Sequence, residues 1–220
     1  MTEPGNSSQD PHRDQPVLTA GEPLDRARAA MLLAHGRGAS AEDILTLTTQ
    51  LAQPGFAYLA PQAAGNSWYP NSFLAPLPSN EPWLTSALAF IDDVLARIFQ
   101  AGIPPERTML LGFSQGACLA LEFAARNARR YGGLAGLSGA LIGPGDTPRN
   151  YPGSLAETPV FLGSSDVDPY VPKERVQHTA QVLGRLGGQV TLRLYPTMEH
   201  TVNQDELDFV RRMVQTLVAG

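Results

Sequence analysis

A serine between two glycines is the first place in this 220-residue chain where chemistry can be read. Ser114 stands in Gly112-Phe113-Ser114-Gln115-Gly116, a Gly-x-Ser-x-Gly sequence. The apolar run Met109-Leu110-Leu111 leads in, and Ala117, Leu119, Ala120 and Leu121 lead out as the start of a helix. The serine is expected on a sharp strand-to-helix turn, with its hydroxyl above the sheet edge. The flanking glycines remove side chains that would collide with the neighbouring strand and helix. The helix N-terminus would also aim backbone N–H groups at the point where an oxyanion forms. The alternative is a serine in an ordinary turn, and the strand and helix around it favour the nucleophile.

A hydroxyl becomes a good nucleophile when a base takes its proton, and the chain has four histidines. His12 falls in the polar N-terminal stretch. His178 lies in an expected helix beside Gln177 and Thr179 and reads as a surface residue. His35 follows an early apolar run and reads as loop-stabilising. His200 occupies the loop between the last expected strand and the last helix. That is where the base belongs when serine, acid and histidine follow in that order along the chain. The acid should then follow a strand between Ser114 and His200. Asp166 and Asp168 both come just after Pro159-Val160-Phe161-Leu162-Gly163, and position alone does not separate them. Asp146, in a Gly/Pro loop, ranks third. The oxyanion donors would be the backbone N–H of Gln115 and that of Arg37, which follows His35-Gly36.

These residues need a scaffold that brings distant loops to one edge. Short apolar runs at 29–34, 56–60, 108–111, 133–137, 159–163 and 189–195 read as strands. Helical patterns fill 41–53, opened by Ser40 with Asp43 as capping-box partner, and also 115–129, 174–186 and 205–218. A further long helix is expected after Asn80 as its cap, with Pro82 in its first turn and Gly102 and Pro104 at its end. Strands alternating with helices imply an α/β domain, with a mostly parallel central sheet covered on both faces. The stretch 61–80 is long for a loop, and its aromatic content argues against disorder. Trp68, Tyr69, Phe73 and Leu74 are therefore candidates for lining a substrate groove or for core packing.

Composition narrows the function further. Hydrophobic residues make up 43% of the chain, enough for one substantial core. The net charge of −5 comes without a polybasic stretch, so nucleic acid is not an expected partner. The single cysteine, Cys118, excludes an internal disulfide and reads as core packing. No signal-peptide pattern and no long apolar span is found, which leads to an expectation of a cytoplasmic protein without a membrane span. Residues 1–16 are expected to form a disordered tail and residues 17–220 a single domain. No metal-ligand spacing and no Gly-x-Gly-x-x-Gly turn is present, so neither a metal nor a cofactor is expected. The expected partner is a small ester or thioester substrate, and a homodimer is left open.

Five pieces together resemble the phospholipase/carboxylesterase and acyl-protein thioesterase family of α/β-hydrolases. They are Leu33-Ala34-His35-Gly36-Arg37-Gly38, Pro61 with Trp68-Tyr69, the Ser114 pentapeptide, Leu137-Ser138-Gly139-Ala140-Leu141, and Asp168-Pro169-Tyr170-Val171-Pro172 ahead of His200. The resemblance implies an α/β-hydrolase fold without a large cap domain, and a carboxylesterase acting through Ser114, His200 and an aspartate. It favours Asp168, the Asp of Asp-x-x-Val-Pro, over Asp166. It also matches Gln115 and Arg37 as oxyanion donors and makes Ser138 part of a structural turn. Thioesterase or lysophospholipase activity on the same residues is the alternative, and a non-catalytic binding protein on a hydrolase fold is a rival of another class. One departure stands out: Thr197 occupies a position, three residues before the histidine, where the family often has glycine.

Overall fold

The computed structural model describes residues 10–219. Seven strands form one sheet in the order β1-β3-β2-β4-β5-β6-β7. They are β1 (Val17–Gly21), β2 (Ala29–Ala34), β3 (Phe56–Pro61), β4 (Thr108–Phe113), β5 (Gly133–Leu137), β6 (Pro159–Ser165) and β7 (Gln189–Tyr195). All neighbours pair in parallel except β1, which runs antiparallel to β3. This is the mostly parallel sheet that the alternating pattern implies, in the α/β-hydrolase architecture that the resemblance implies. The central strands are buried on both faces, which is why they read as continuous apolar runs. In β2, Ala30, Leu32 and Ala34 join one core, while Ala29, Met31 and Leu33 join the other.

Helices α3 (Trp83–Gln100), α4 (Gln115–Arg126) and α5 (Lys173–Arg185) cover the first face. Helices α1 (Ala41–Leu45), α2 (Thr48–Leu51) and α6 (Gln204–Ala219) cover the second. No connection holds an inserted cap domain. Among the described residues no helix is long and apolar enough to cross a membrane.

Four local expectations are corrected. The helix expected over 41–53 is split into α1 and α2. The hydroxyls of Thr46, Thr48 and Thr49 bond the carbonyls of Asp43, Leu45 and Thr46, competing with the helical ladder at the break. The capping box of Ser40 and Asp43 at the start of α1 is present. Asn80 does not cap α3. It is buried, accepts the Asn71 N–H at 2.8 Å, donates to the Ser72 carbonyl at 3.2 Å, and so ties the long loop to itself. Pro82 stands at the N-cap of α3, and Glu81 accepts the Thr85 N–H at 3.0 Å.

Strand β1 was not expected; its five residues are only half-buried at the sheet edge, so they carry no continuous apolar signal. The disordered tail is corrected where it can be seen. Residues 1–9 lie outside the described residues, but from Asp10 onward the chain is seated on the domain, with His12 fully buried. Its imidazole has backbone partners to fill, which a compositional reading of a polar stretch does not reveal.

Gly116 sets how closely α4 approaches β2. A Cβ there would lie 2.1 Å from the Ala34 carbonyl oxygen, a backbone atom that cannot move aside. Gly184, inside α5, faces open space. Gly116→Ala is expected to lose about 3 kcal/mol or more, and Gly184→Ala to gain about 0.5–1 kcal/mol. Urea unfolding of the two variants beside the parent checks both signs.

Candidate active site

All the candidate groups follow the C-terminal ends of parallel strands, where loops from an α/β sheet converge. Ser114 follows β4, Asp168 follows β6, His200 follows β7, and His35-Gly36-Arg37 follows β2. Ser114 has φ 54° and ψ −120°, a strained conformation for a residue with a side chain. Its N–H donates to the Leu137 carbonyl at 2.9 Å, and its carbonyl accepts from Cys118 N–H at 3.0 Å. The elbow is therefore tied to β5 on one side and to the first turn of α4 on the other.

The structure brings the three side chains into one line. His200 Nε2 lies 2.8 Å from Ser114 Oγ, and His200 Nδ1 lies 2.7 Å from Asp168 Oδ2. The Asp168 side chain is fully buried. Its other oxygen accepts the N–H groups of Tyr170 at 2.9 Å and Val171 at 3.0 Å, so the carboxylate is oriented before it meets the imidazole. The His200 ring sits between Phe113 and Tyr170, with centroids at 5.1 and 5.0 Å.

Asp166 has a different place. Its Oδ1 accepts the Thr197 N–H at 2.9 Å. Thr197 has φ 54°, the left-handed region that favours glycine. The carboxylate holds that turn, which carries the chain from β7 toward His200. Beyond His200, Asn203 and Glu206 cap α6 reciprocally: Glu206 Oε2 accepts the Asn203 N–H at 2.8 Å, and Asn203 Oδ1 accepts the Glu206 N–H at 3.0 Å. Burial pushes the Glu206 carboxyl up to about 7.

Both oxyanion candidates line the same cavity as Ser114. Gln115 is the first residue of α4, so its N–H has no acceptor within the helix. The Arg37 N–H has no acceptor among the described residues. Sequence reasoning missed what their side chains do. Gln115 Oε1 accepts the Trp68 N–H at 3.0 Å, and Gln115 Nε2 donates to the Tyr69 carbonyl at 2.7 Å. Arg37 donates to Ser67 Oγ and to the carbonyls of Pro70 and Asn71. Its side chain is engaged with the loop. Both residues clamp the 67–71 segment against the elbow.

A cavity of about 540 Å³ opens over Ser114 and His200. Tyr69 and Phe73 line it, together with Tyr170 and Val171. Trp68 and Leu74 do not. Trp68 is fully buried, its indole N–H donating to the His35 carbonyl at 2.8 Å, and Leu74 packs against the core. Cys118 also reaches the cavity wall. Its thiol is buried, accepts the Ala140 N–H at 3.4 Å, and is pushed up to about 12 by burial. His178, partly exposed on α5, does not line the cavity. Among the described residues no three His, Cys, Asp or Glu side chains gather as metal ligands.

Two buried imidazoles support the loop from behind. His35 Nε2 accepts the Ala63 N–H at 3.0 Å, which leaves Nδ1–H to donate to the Gly36 carbonyl at 2.8 Å. His12 Nδ1 accepts the Ala64 N–H at 3.1 Å, which leaves Nε2–H to donate to the Trp68 carbonyl at 2.9 Å. Each therefore works as a neutral ring, and Trp68 packs against both, with centroids at 5.0 and 5.5 Å. Burial lowers both pKa values from 6.5, with opposing help to the charged form from the bonded carbonyls.

The phospholipase/carboxylesterase family model matches residues 19–218. A phospholipase/carboxylesterase of known structure from Dyadobacter fermentans is 43% identical, with a TM-score of 0.88 over 92% of this chain and 97% of that one. The structure of esterase PE8 is 26% identical, with a TM-score of 0.73 over 92% and 98%. Acyl-protein thioesterase 1 of Gibberella zeae is 32% identical over 135 residues, 57% of this chain and 54% of that protein. The match to its namesake in Saccharomyces cerevisiae is 31% over 130 residues, covering 56% and 55%. The chain thus spans about half the length of these two thioesterases.

Protonation of His12 would set a second donor against the Ala64 N–H. Because burial lowers its pKa, the unfolded chain binds this proton at a higher pH than the folded one. Stability should therefore fall as pH drops below 6.5 and level off once the folded ring titrates. Glu206, whose pKa is raised, acts in the opposite sense, so the difference between variants is the measure. His12→Gln, which keeps an acceptor and a donor, should flatten the fall in thermal midpoint between about pH 7 and pH 5. His12→Ala should cost about 2–4 kcal/mol at neutral pH by orphaning both backbone groups.

Proposed function

The chain belongs to the phospholipase/carboxylesterase family and is a hydrolase of the esterase/thioesterase type, and from that premise we propose that it cleaves carboxylic esters through an acyl-enzyme on Ser114. The observation that carries this reading is the continuous line of hydrogen bonds from Asp168 through His200 to the Ser114 hydroxyl. His200 Nε2 takes the hydroxyl proton as Ser114 Oγ bonds the ester carbonyl carbon. Asp168 accepts the Nδ1–H, fixes the tautomer and stabilises the imidazolium. The N–H groups of Gln115 and Arg37 receive the charge on the carbonyl oxygen, an interaction worth roughly 2.7–4 kcal/mol for one donor.

Collapse of that intermediate breaks the bond to the leaving oxygen, which takes the proton from His200 and departs as an alcohol. Water then gives a proton to His200 and bonds the acyl carbon. The Ser114–acyl bond breaks, the serine recovers its proton, and the carboxylic acid leaves. Residues Tyr69 and Phe73 supply apolar surface beside the reacting atoms.

Thioester cleavage by the same route is the second reading, supported by the likeness to two acyl-protein thioesterases. A matched ester and thioester series, read as kcat/KM, ranks the two. Ser114→Ala should abolish both activities and the adduct formed by a fluorophosphonate probe. If the probe modifies no peptide containing Ser114, the chain is a binding protein on a hydrolase fold.

The acid assignment has its own test. Asp168→Ala should lower kcat by about 10³–10⁴-fold, as loss of the imidazole's partner does elsewhere. Asp166→Ala, which frees only the Thr197 turn, should cost about tenfold or less. An equal loss in both variants would move the acid role away from Asp168.

A further inference from the structure

Among the described residues, Arg37 is the only side chain with a permanent charge on the cavity wall. The other lining groups carry no permanent charge: aromatic rings, a proline, a valine, two amides, hydroxyls, the buried Cys118 thiol and the His200 imidazole. No carboxylate answers the guanidinium, since Arg37 forms no ion pair among the described residues. Asp168 lies behind His200, with its side chain fully buried.

The guanidinium is also held in place. Nη1 donates to Ser67 Oγ at 3.1 Å and to the Pro70 carbonyl at 2.9 Å, and Nη2 donates to the Asn71 carbonyl at 2.6 Å. The group packs over the Tyr69 ring, 5.9 Å from its centroid. A guanidinium carries five N–H donors. The Nε–H and one Nη2–H are left without a partner among the described residues, on an exposed side chain. Here three neutral acceptors fix its orientation and leave the charge unspent, in a protein whose net charge is −5.

We propose that Arg37 recognises the substrate through its side chain, and that the preferred substrate is an ester carrying a carboxylate on the portion that lies against this wall. This rests on the ester-hydrolase reading above and names the substrate class within it. An oriented guanidinium with two open donors suits the planar carboxylate better than a neutral chain end. The same pairing would set the scissile carbonyl in register with Ser114, because the residue that holds the anion is also the one whose backbone N–H is proposed to receive the oxyanion.

The test uses the full chain and two matched pairs of substrates. For the acyl side these are 4-nitrophenyl hydrogen adipate and 4-nitrophenyl hexanoate, and for the alcohol side 4-butanoyloxybenzoate and phenyl butanoate. In one pair the anionic member should exceed its neutral partner by about tenfold or more in kcat/KM, a charge-assisted contact discounted for solvent exposure. That ratio should shrink as salt rises in the unmodified protein. It should approach unity in Arg37→Gln and survive in part in Arg37→Lys. Only the ratio is compared, since Arg37 also serves the loop and the oxyanion.

Preference for the neutral member in both pairs, or a ratio unchanged by Arg37→Gln, overturns the proposal. Fluorophosphonate labelling of Ser114 runs in parallel. Labelling without an anionic preference overturns this proposal alone, whereas absence of labelling overturns the hydrolase reading along with it.

Discussion

The backbone of Ser114 turns at φ 54°, with the β4 strand behind it and α4 ahead. A residue with a side chain holds that conformation only where its surroundings over-determine it. Here they do so from three directions. Leu137 receives its N–H, Cys118 donates to its carbonyl, and Gly112 and Gly116 let the strand end and the helix start meet at backbone distance. A Cβ on Gly112 would lie 2.3 Å from the Gly116 carbonyl oxygen, so the tightness of the turn and the glycines are one constraint. The hydroxyl's place on the cavity, the free N–H of Gln115 and the meeting with His200 all follow from it.

A second layer of structure serves the first. The loop that forms the cavity wall is long and irregular, and such loops need partners for their backbone groups. Trp68 is where those partners converge. Its N–H goes to Gln115, its carbonyl to His12, and its indole N–H to the His35 carbonyl. Gln115 and Arg37 thus hold the wall with their side chains, beside the oxyanion role proposed for their backbone N–H groups. Because His12 and His35 each accept a backbone N–H, the support depends on both rings staying neutral.

The two aspartates after β6 show how neighbouring identical side chains can divide the work. Asp168 turns toward His200, oriented by the N–H groups of Tyr170 and Val171. Asp166, two residues earlier, turns toward β7 and supports Thr197, which sits in a conformation suited to glycine. The departure from glycine at that position thus comes with its own compensating bond.

Much of this was legible in the residues themselves. Continuous apolar runs alternating with helical periods are dictated by strands buried on both faces, and they fit one parallel sheet. The Gly-x-Ser-x-Gly spacing carries its own steric logic, and the order of Ser114, the aspartates and His200 marks which strand ends must converge. Elements without a dense local signal escaped: the half-buried edge strand β1, the split between α1 and α2, and the seating of Asp10 and His12. What the tertiary structure alone decided was direction. Sequence position placed Asp166 and Asp168 equally well and placed Trp68 and Tyr69 on the same loop. Which carboxylate faces the imidazole, which aromatic ring faces the cavity, and what the guanidinium touches depend on contacts between segments 30 or more residues apart. Those contacts form only when the strands have aligned, and no local pattern encodes them.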